Sequence, residues 1–138
     1  CFVAGEGASL EITIGGTWDK INGKKIPCSV RVLKLVENYG VYNSRLALVE
    51  MGDIRIVLTS NHIGFGDEEL LPALDVKAED YCIVIVKLGY LEPCFQKIAK
   101  RAILAESKGC SNEVLETLDY PQTPRPIYPL DKDMDIKL

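Results

Sequence analysis

The residues best suited to chemistry in this 138-residue chain surround its single histidine. His62 lies in the stretch LTSNHIGFGDEELL, residues 58–71, between a strand-like run and a helix-like run. An imidazole can bind a metal ion or transfer a proton near neutral pH. Ser60 precedes it, and loops that follow strands often carry functional side chains. The favoured interpretation of His62 is a solvent-facing loop residue, and the alternative is a place at the edge of a cleft.

Two more candidates flank the end of an apolar run, YCIVIVK, residues 81–87. Lys87 ends this run, where it can pair with a substrate carboxylate or simply extend from a strand end into water. Tyr90 follows at the start of a helix-like run. Ser60, His62, Lys87 and Tyr90 are the candidate residues for a binding cleft. No catalytic residue is predicted, because one histidine without a nucleophile pair cannot supply an acid, a base and a nucleophile.

The cysteines give no metal-binding pattern. Five are present, widely spaced and without a CxxC pair: Cys1, Cys28, Cys82, Cys94 and Cys110. Such spacing is typical of reduced thiols in a cytoplasmic protein and disfavours a zinc site built from these thiols and His62. We therefore predict no metal ligand in this chain, and Cys82 is expected to be a small core residue.

Composition limits the classes of partner. Apolar residues make up 47% and charged residues 26%, with a net charge of −4 and a pI near 5.0. This balance predicts one globular domain over residues 1–138 and gives no basic surface for nucleic acid or an anionic membrane. No apolar run approaches the roughly 18 to 20 residues that span a bilayer. The chain begins at Cys1, which suggests a fragment or a processed product.

The first half of the sequence predicts an antiparallel sheet. Residues 10–16, LEITIGG, alternate apolar and polar side chains and end in two glycines. Residues 28–38, CSVRVLKLVEN, form a second strand, with a slip in apolar phase between Val32 and Leu33 that indicates a bulge or a change of buried face. Residues 45–51 and 54–59, joined by Gly52 and Asp53, are typical of a hairpin.

The second half predicts a different arrangement. A short helix over residues 66–74 has Asp67 as a candidate N-cap. Residues 81–87 and 102–106 are predicted strands on either side of a helix over 91–101, which makes a β-α-β unit with parallel strands. Lys87 would then lie at the carboxyl end of a parallel strand, where ligands commonly bind. The predicted class is α+β with a mixed sheet.

The C-terminal tail carries four of the seven prolines and is expected to lie extended along a surface. Arg125 stands between Pro124 and Pro126, so its backbone is stiff. We predict that Arg125 pins the tail to the domain through a carboxylate, either Asp131 or a more distant one.

Four stretches, taken in order and spacing, resemble one family. They are GEGASLEITIGGTWD, IRIVLTSNHIGFGDEELLPAL, YCIVIVKLGYLEPCFQKIAKRAILAESKGC and RPIYPLD. Together they resemble the C-terminal domain of the MlrC-type metallopeptidases, named for microcystin-degradation protein C. The resemblance covers residues 4–131.

This resemblance implies a two-domain, zinc-dependent peptidase or amidohydrolase of the bacterial cytoplasm that acts on linear peptides or related amides. Its zinc would be bound by the larger N-terminal domain, so this chain would need no cofactor of its own and would be inactive alone. The chain would complete the substrate cleft or stabilise the metal-binding domain. The family's habit of a lysine at the end of the apolar strand supports a role for Lys87.

One departure from the family pattern bears on the substrate. Many members carry a histidine-phenylalanine-arginine cluster after that lysine, where this chain has Tyr90, Leu91 and Glu92. The loss of cationic side chains argues against a microcystin-type substrate. An alternative function is a non-catalytic interaction domain whose sheet edge or tail mediates oligomerisation, and the sequence leaves homo-oligomer formation open. A cleft role predicts that Ser60, His62 and Lys87 gather at one end of the sheet, whereas an assembly role predicts a large exposed apolar patch.

Overall fold

A computed structural model describes residues 1–17, 19–87, 90–106, 114 and 117–135. The chain divides into two compact units, Cys1–Ile103 and Leu104–Leu138. The strands and helices all lie in the first unit. The single domain predicted over residues 1–138 stays a prediction.

The first unit is built on an antiparallel sheet whose described strands follow the order β1-β2-β3-β4. Their bounds are Ser9–Ile14 for β1, Ile26–Tyr39 for β2, Ser44–Met51 for β3 and Ile54–Thr59 for β4. Each strand pairs with the next one along the chain. The predicted antiparallel first half is therefore confirmed, including the hairpin turn at Gly52, whose φ of 58° favours glycine.

One face of this sheet is a continuous apolar surface. Directly opposite residues in an antiparallel pair share a face, and the register places Leu10 opposite Val30 and Val49 opposite both Val32 and Ile56. Val30, Val32 and Val49 are buried in one cluster. The alternation of β1 follows from this arrangement, because its apolar side chains face the cluster while the polar ones face water.

A bulge in β2 moves the apolar pattern to the other face. Val32 pairs with Val49 and Lys34 pairs with Leu48, so the ladder shifts at Leu33. Val32 packs in the first cluster, whereas Leu33 packs in a second cluster with Leu46. The phase slip in the sequence correctly predicted this change of buried face.

The second cluster is covered by a short helical segment. Helix α1 spans Leu70–Ala73, and Leu70 and the following Leu74 are almost fully buried against Leu46 and Leu48. Glu69 is the N-cap, two residues later than predicted, although the Asp67 carboxylate accepts a hydrogen bond from the Glu69 N–H at 2.9 Å. A 3₁₀ turn over Ala78–Asp80 and helix α2 over Pro93–Ile98 follow.

The predicted mixed sheet and its β-α-β unit are wrong. Residues 81–87 and 102–106, both described in full, form no strand. Ile83, Ile85 and Ile103 are 78%, 90% and 77% exposed, and Cys82 is exposed rather than part of the core. Their β-branched side chains favour strands, but a strand forms only where a neighbouring strand supplies hydrogen bonds and apolar contacts. The described chain offers these residues neither, and the fold is α+β only in a loose sense.

The second unit contains turns in its described residues. The Ile127 carbonyl accepts a hydrogen bond from the Asp131 N–H at 2.9 Å, and Arg125–Pro126 and Tyr128–Pro129 are cis peptides. The Arg125 Nε donates to Asp131 Oδ2 at 2.6 Å, with a second contact from Nη2 to Oδ1. This pair lies within the unit, and the extended path of the tail and its attachment to the domain stay predictions.

Candidate functional site

Ser60 lies in a groove at the end of β4. The groove has a volume of about 340 Å³ and is formed by residues 1–3 together with the neighbouring ends of β3 and β4. The Ser60 hydroxyl accepts a hydrogen bond from the Arg45 N–H at 2.9 Å, while the Ser60 N–H donates to the Arg45 carbonyl at 3.0 Å. These reciprocal bonds extend the β3–β4 pairing by one residue and fix the hydroxyl at the rim of the groove.

Arg45 is the charged side chain that lines this groove. Its guanidinium carbon lies 5.1 Å from the centre of the Phe2 ring, a cation–π arrangement. The ring restricts the guanidinium and leaves its N–H donors available to a carboxylate, the anion that this group binds best in a bidentate manner. The groove therefore combines the Arg45 cation, the hydroxyl-bearing residues Thr59 and Ser60, and apolar walls.

His62 is exposed and lies outside the residues that line the groove. The same loop continues into a polar segment at Gly66, Asp67 and Glu68. Asp67 accepts a hydrogen bond from the Tyr39 hydroxyl at 2.6 Å, and Glu68 pairs with Lys97 of α2.

The Tyr39–Asp67 bond fixes the protonation state of both groups. Burial and the neighbouring carboxylate raise the pKa of the Tyr39 phenol well above its ordinary value, because both oppose a phenolate. The hydrogen bonds from Tyr39 and from the Glu69 N–H lower the pKa of Asp67. At neutral pH the pair is thus a neutral donor and an ionised acceptor, suited to holding the loop in place and unsuited to accepting a proton from a substrate.

Tyr90 lies close to Glu92, two positions later in the chain. The neighbouring Glu92 carboxylate raises the pKa of Tyr90, because it disfavours the phenolate. A Cβ atom built at Gly66 would lie 2.8 Å from the carboxyl carbon of Glu92, so this side chain packs directly on the glycine of the His62 loop. The structure therefore brings the His62 loop and the Glu92 side chain together.

Lys87 is exposed and has no contact with the Ser60 groove. The reason for placing it at the carboxyl end of a parallel strand is removed, because residues 81–87 form no strand. Its role in a cleft stays a prediction that depends on the family resemblance. Of the four predicted cleft residues, Ser60 lines the groove described above, and a cleft shared by Ser60, His62, Lys87 and Tyr90 stays a prediction.

The described residues offer no ready metal site. They contain no group of three or more histidine, cysteine, aspartate or glutamate side chains placed to hold an ion. The four cysteines among them are free thiols, and Cys110 lies outside the described residues. The donors present in the described part therefore do not fit a zinc ion, and no step of chemistry is assigned to one here. No helix in the same part of the chain is long and apolar enough to cross a membrane.

Three features of the site lay beyond sequence reasoning. The Arg45–Phe2 contact joins residues 43 positions apart, and the Tyr39–Asp67 bond joins residues 28 positions apart. No motif or spacing marks such pairs, since their proximity depends on how residues 1–3 and the loop after β4 fold back on the sheet. The Gly66–Glu92 contact is similar, because glycines in a loop predict a close approach without saying what approaches.

Comparison with known proteins identifies the family. No curated protein and no solved structure matches the chain. The family model described as MlrC C-terminus matches residues 1–122, which is most of the sequence. Such a domain is one part of a larger protein, with an N-terminal domain linked to it. The match covers the first three of the four stretches that suggested this family, and RPIYPLD at residues 125–131 lies beyond it. The chain belongs to the MlrC C-terminal domain family.

Proposed function

We propose that this chain is the accessory C-terminal domain of a zinc-dependent peptidase or amidohydrolase. It completes the substrate cleft or stabilises the metal-binding domain, and it is inactive alone. The observation that carries the proposal is the family match over residues 1–122. Zinc belongs to the upstream domain in this proposal, and the enzyme acts in the cytoplasm on a peptide or a related amide.

The Ser60 groove is the surface that we assign to the substrate. A peptide presents a carboxylate and amide groups, and Arg45 and Ser60 offer a cation and a hydroxyl side by side. Arg45 would bind the carboxylate, and the Ser60 hydroxyl would donate to a carbonyl. Because neither residue touches a reacting bond in this arrangement, both would contribute to binding rather than to the chemical step.

The first experiment compares this chain with the full-length protein, meaning the longer chain that carries the upstream domain. Zinc content and peptidase activity are measured for both. The proposal expects stoichiometric zinc and peptide cleavage in the full-length protein alone. Stoichiometric zinc in this chain by itself, or a full-length protein without hydrolase activity, would contradict it.

The groove is tested in the full-length protein with Arg45→Gln. Loss of a charged hydrogen bond to the substrate corresponds to a rise in KM of about tenfold, with kcat unchanged. The matched control is Arg55→Gln, since Arg55 pairs with Glu50 at 2.9 Å and lies outside the groove. Equal KM values for the two variants would remove the groove from the substrate site.

The second candidate is a non-catalytic interaction domain. One observation favours it, namely the exposure of consecutive apolar side chains at Ile83, Val84 and Ile85. Light scattering of the isolated chain tests whether this surface joins copies of the chain. A dimer at micromolar concentration that Ile85→Lys dissociates would favour this candidate.

A further inference from the structure

The 81–87 segment has the composition of a buried strand, but most of its side chains are exposed. Ile83, Val84 and Ile85 are 78%, 44% and 90% exposed. No backbone hydrogen bond joins residues 82–87 to any other described residue. Unpaired peptide groups and consecutive β-branched side chains together form an open strand edge, which is the usual template for adding a strand from another sheet.

The apolar side chains of the segment point to both sides. Successive residues of an extended chain alternate between faces, so Ile83 and Ile85 face one way and Val84 and Val86 the other. A strand with one face in water would alternate apolar and polar residues. A strand that is apolar throughout belongs to a sheet covered on both faces, typically by helices.

This pattern distinguishes between occupants. A second copy of the segment would add one neighbouring strand but would cover neither face, and an isolated pair of strands is marginally stable in water. A domain that combines a sheet with helices supplies the neighbouring strand and both covering layers. Membership of a C-terminal domain family implies that a further domain is linked to this one.

We infer that the 81–87 segment pairs as a β-strand with the upstream domain, and that this domain covers both apolar faces of the segment. This inference rests on the proposed function, in which the upstream domain docks on this one. The exposed Cys82 thiol would become buried on docking, and the charged residues that flank the run, Asp80 and Lys87, would mark the ends of the inserted strand.

Hydrogen exchange measured by mass spectrometry tests the inference on this chain and on the full-length protein. The amides of residues 82–87 are expected to exchange at nearly the unprotected rate in this chain. They should exchange at least about 100-fold more slowly in the full-length protein, because strand amides open only with the structure around them. Alkylation of Cys82, located by peptide mapping with Cys82→Ser as reference, should slow in parallel.

A variant pair in the full-length protein separates docking from general folding. Ile85→Lys places a charge in one covered face and is expected to restore fast exchange in residues 82–87. Val41→Lys makes the same kind of change at a 90% exposed position in the β2–β3 turn and should leave the protection intact. Exchange across β3 reports whether either variant has unfolded the sheet.

Three results would overturn the inference. Fast exchange of residues 82–87 in both proteins would show that no partner pairs with them. Protection of residues 82–87 in the isolated chain that increases with protein concentration would show that the segment pairs with a second copy. Protection in the isolated chain that is independent of concentration would show that the segment packs within this chain. The zinc and peptidase assays of the same full-length sample keep the proposals apart, since protection without hydrolase activity removes only the proposed function, and activity without protection removes only the docking strand.

Discussion

Strand β3 and the segment over residues 81–87 both contain apolar runs, but in opposite environments. In β3 the run LALV is buried from Leu46 to Val49. In the later stretch the run IVI, residues 83–85, is exposed. Both runs are apolar throughout, and the exposed run is the richer in β-branched residues that favour strands, so composition does not account for the difference.

The difference lies in the distance to a partner. Each strand of the sheet pairs with the next along the chain, across connections that close at small entropic cost. The 81–87 segment has no such neighbour in the described part of the chain. Apolar alternation thus predicts where a strand can form, whereas a partner determines whether it does form in this chain.

The largest effect is expected from truncating one apolar side chain in each region of this chain. Leu46 is fully buried against Leu48, Leu70 and Leu74, so Leu46→Ala should lower the free energy of unfolding by about 3 kcal/mol through lost burial and the remaining cavity. Ile83 is 78% exposed, and Ile83→Ala should change it by less than about 0.5 kcal/mol. Urea unfolding of both variants measures the contrast.

Similar losses in the two variants would break the comparison. They would mean that residues 81–87 are packed within this chain in solution, and that Ile83 is buried in the folded state. The two free energies can be compared only if the m-value is unchanged in both variants, because an unchanged m-value shows that the same surface is exposed on unfolding.

The next effect concerns the turns that bring the sheet's strands together. Gly15 has a φ of 75°, and a Cβ atom there would lie 2.7 Å from the Lys24 carbonyl oxygen. Gly15→Ala therefore combines backbone strain with a backbone clash and should cost about 2 kcal/mol. Gly40, with a φ of 62° and no atom within 4 Å of such a Cβ, is the matched control at about 1 kcal/mol. Thermal unfolding measures both variants, and Gly15→Ala should have the lower Tm. A Tm of Gly40→Ala equal to or lower than that of Gly15→Ala would contradict the role of the close approach at Lys24.

The sequence predicted the parts of the fold that depend on neighbours along the chain. Alternation located β1, the glycine-aspartate pair located the β3–β4 turn, and the phase slip located the bulge at Leu33. It failed for residues 81–87 and 102–106, where a continuous apolar run indicates burial without identifying what provides it. The predicted boundaries of α1 and α2 were also too wide, because each helix has only one buried residue, Leu70 in α1 and Phe95 in α2, to stabilise it.

The candidate site was less predictable than the fold. Ser60 was predicted because loops after strands often carry function; it lines a groove, and its place in a substrate cleft stays a prediction. Arg45 was not found, since only the register of β3 and β4 and the path of residues 1–3 place it beside Ser60 and Phe2. Side chains that meet across strands are joined by no local pattern.

A smaller effect tests the link between the sheet and the loop that leads out of it. Tyr39→Phe removes the hydrogen bond to Asp67, which is exposed and screened by water, and should cost about 1 kcal/mol at pH 7. The bond lowers the pKa of Asp67 from 3.8, so its contribution is complete above that pH and is lost as pH falls through the folded-state pKa. The difference between the two proteins should therefore shrink below about pH 4.

The same pair has an alkaline limit with the opposite sign. The pKa of Tyr39 is raised above 10.0 in the folded state, so the wild type loses stability as pH rises beyond that value and the unfolded phenol ionises. The phenylalanine variant lacks this ionisation, and the difference should shrink there too. Urea unfolding at several pH values measures both limits, and a difference that is constant with pH would show that Tyr39 contributes through packing alone.

The smallest effect is expected where polar contacts order the chain without burial. In the second unit Arg125 and the Ile127 N–H hold the pKa of Asp131 at about 2. Arg125→Gln should move this pKa back toward its ordinary value while leaving urea unfolding of the first unit unchanged, because the pair is largely exposed. Arg101→Gln removes the same charge from an exposed position and controls for the general field. Carboxyl-carbon NMR titration measures the pKa directly. An unchanged pKa of Asp131 in Arg125→Gln would assign the shift to the Ile127 N–H. A loss of stability in the first unit would mean that the Arg125–Asp131 pair stabilises that unit although the pair is not buried, and the contrast between buried residues and exposed ion pairs would then fail.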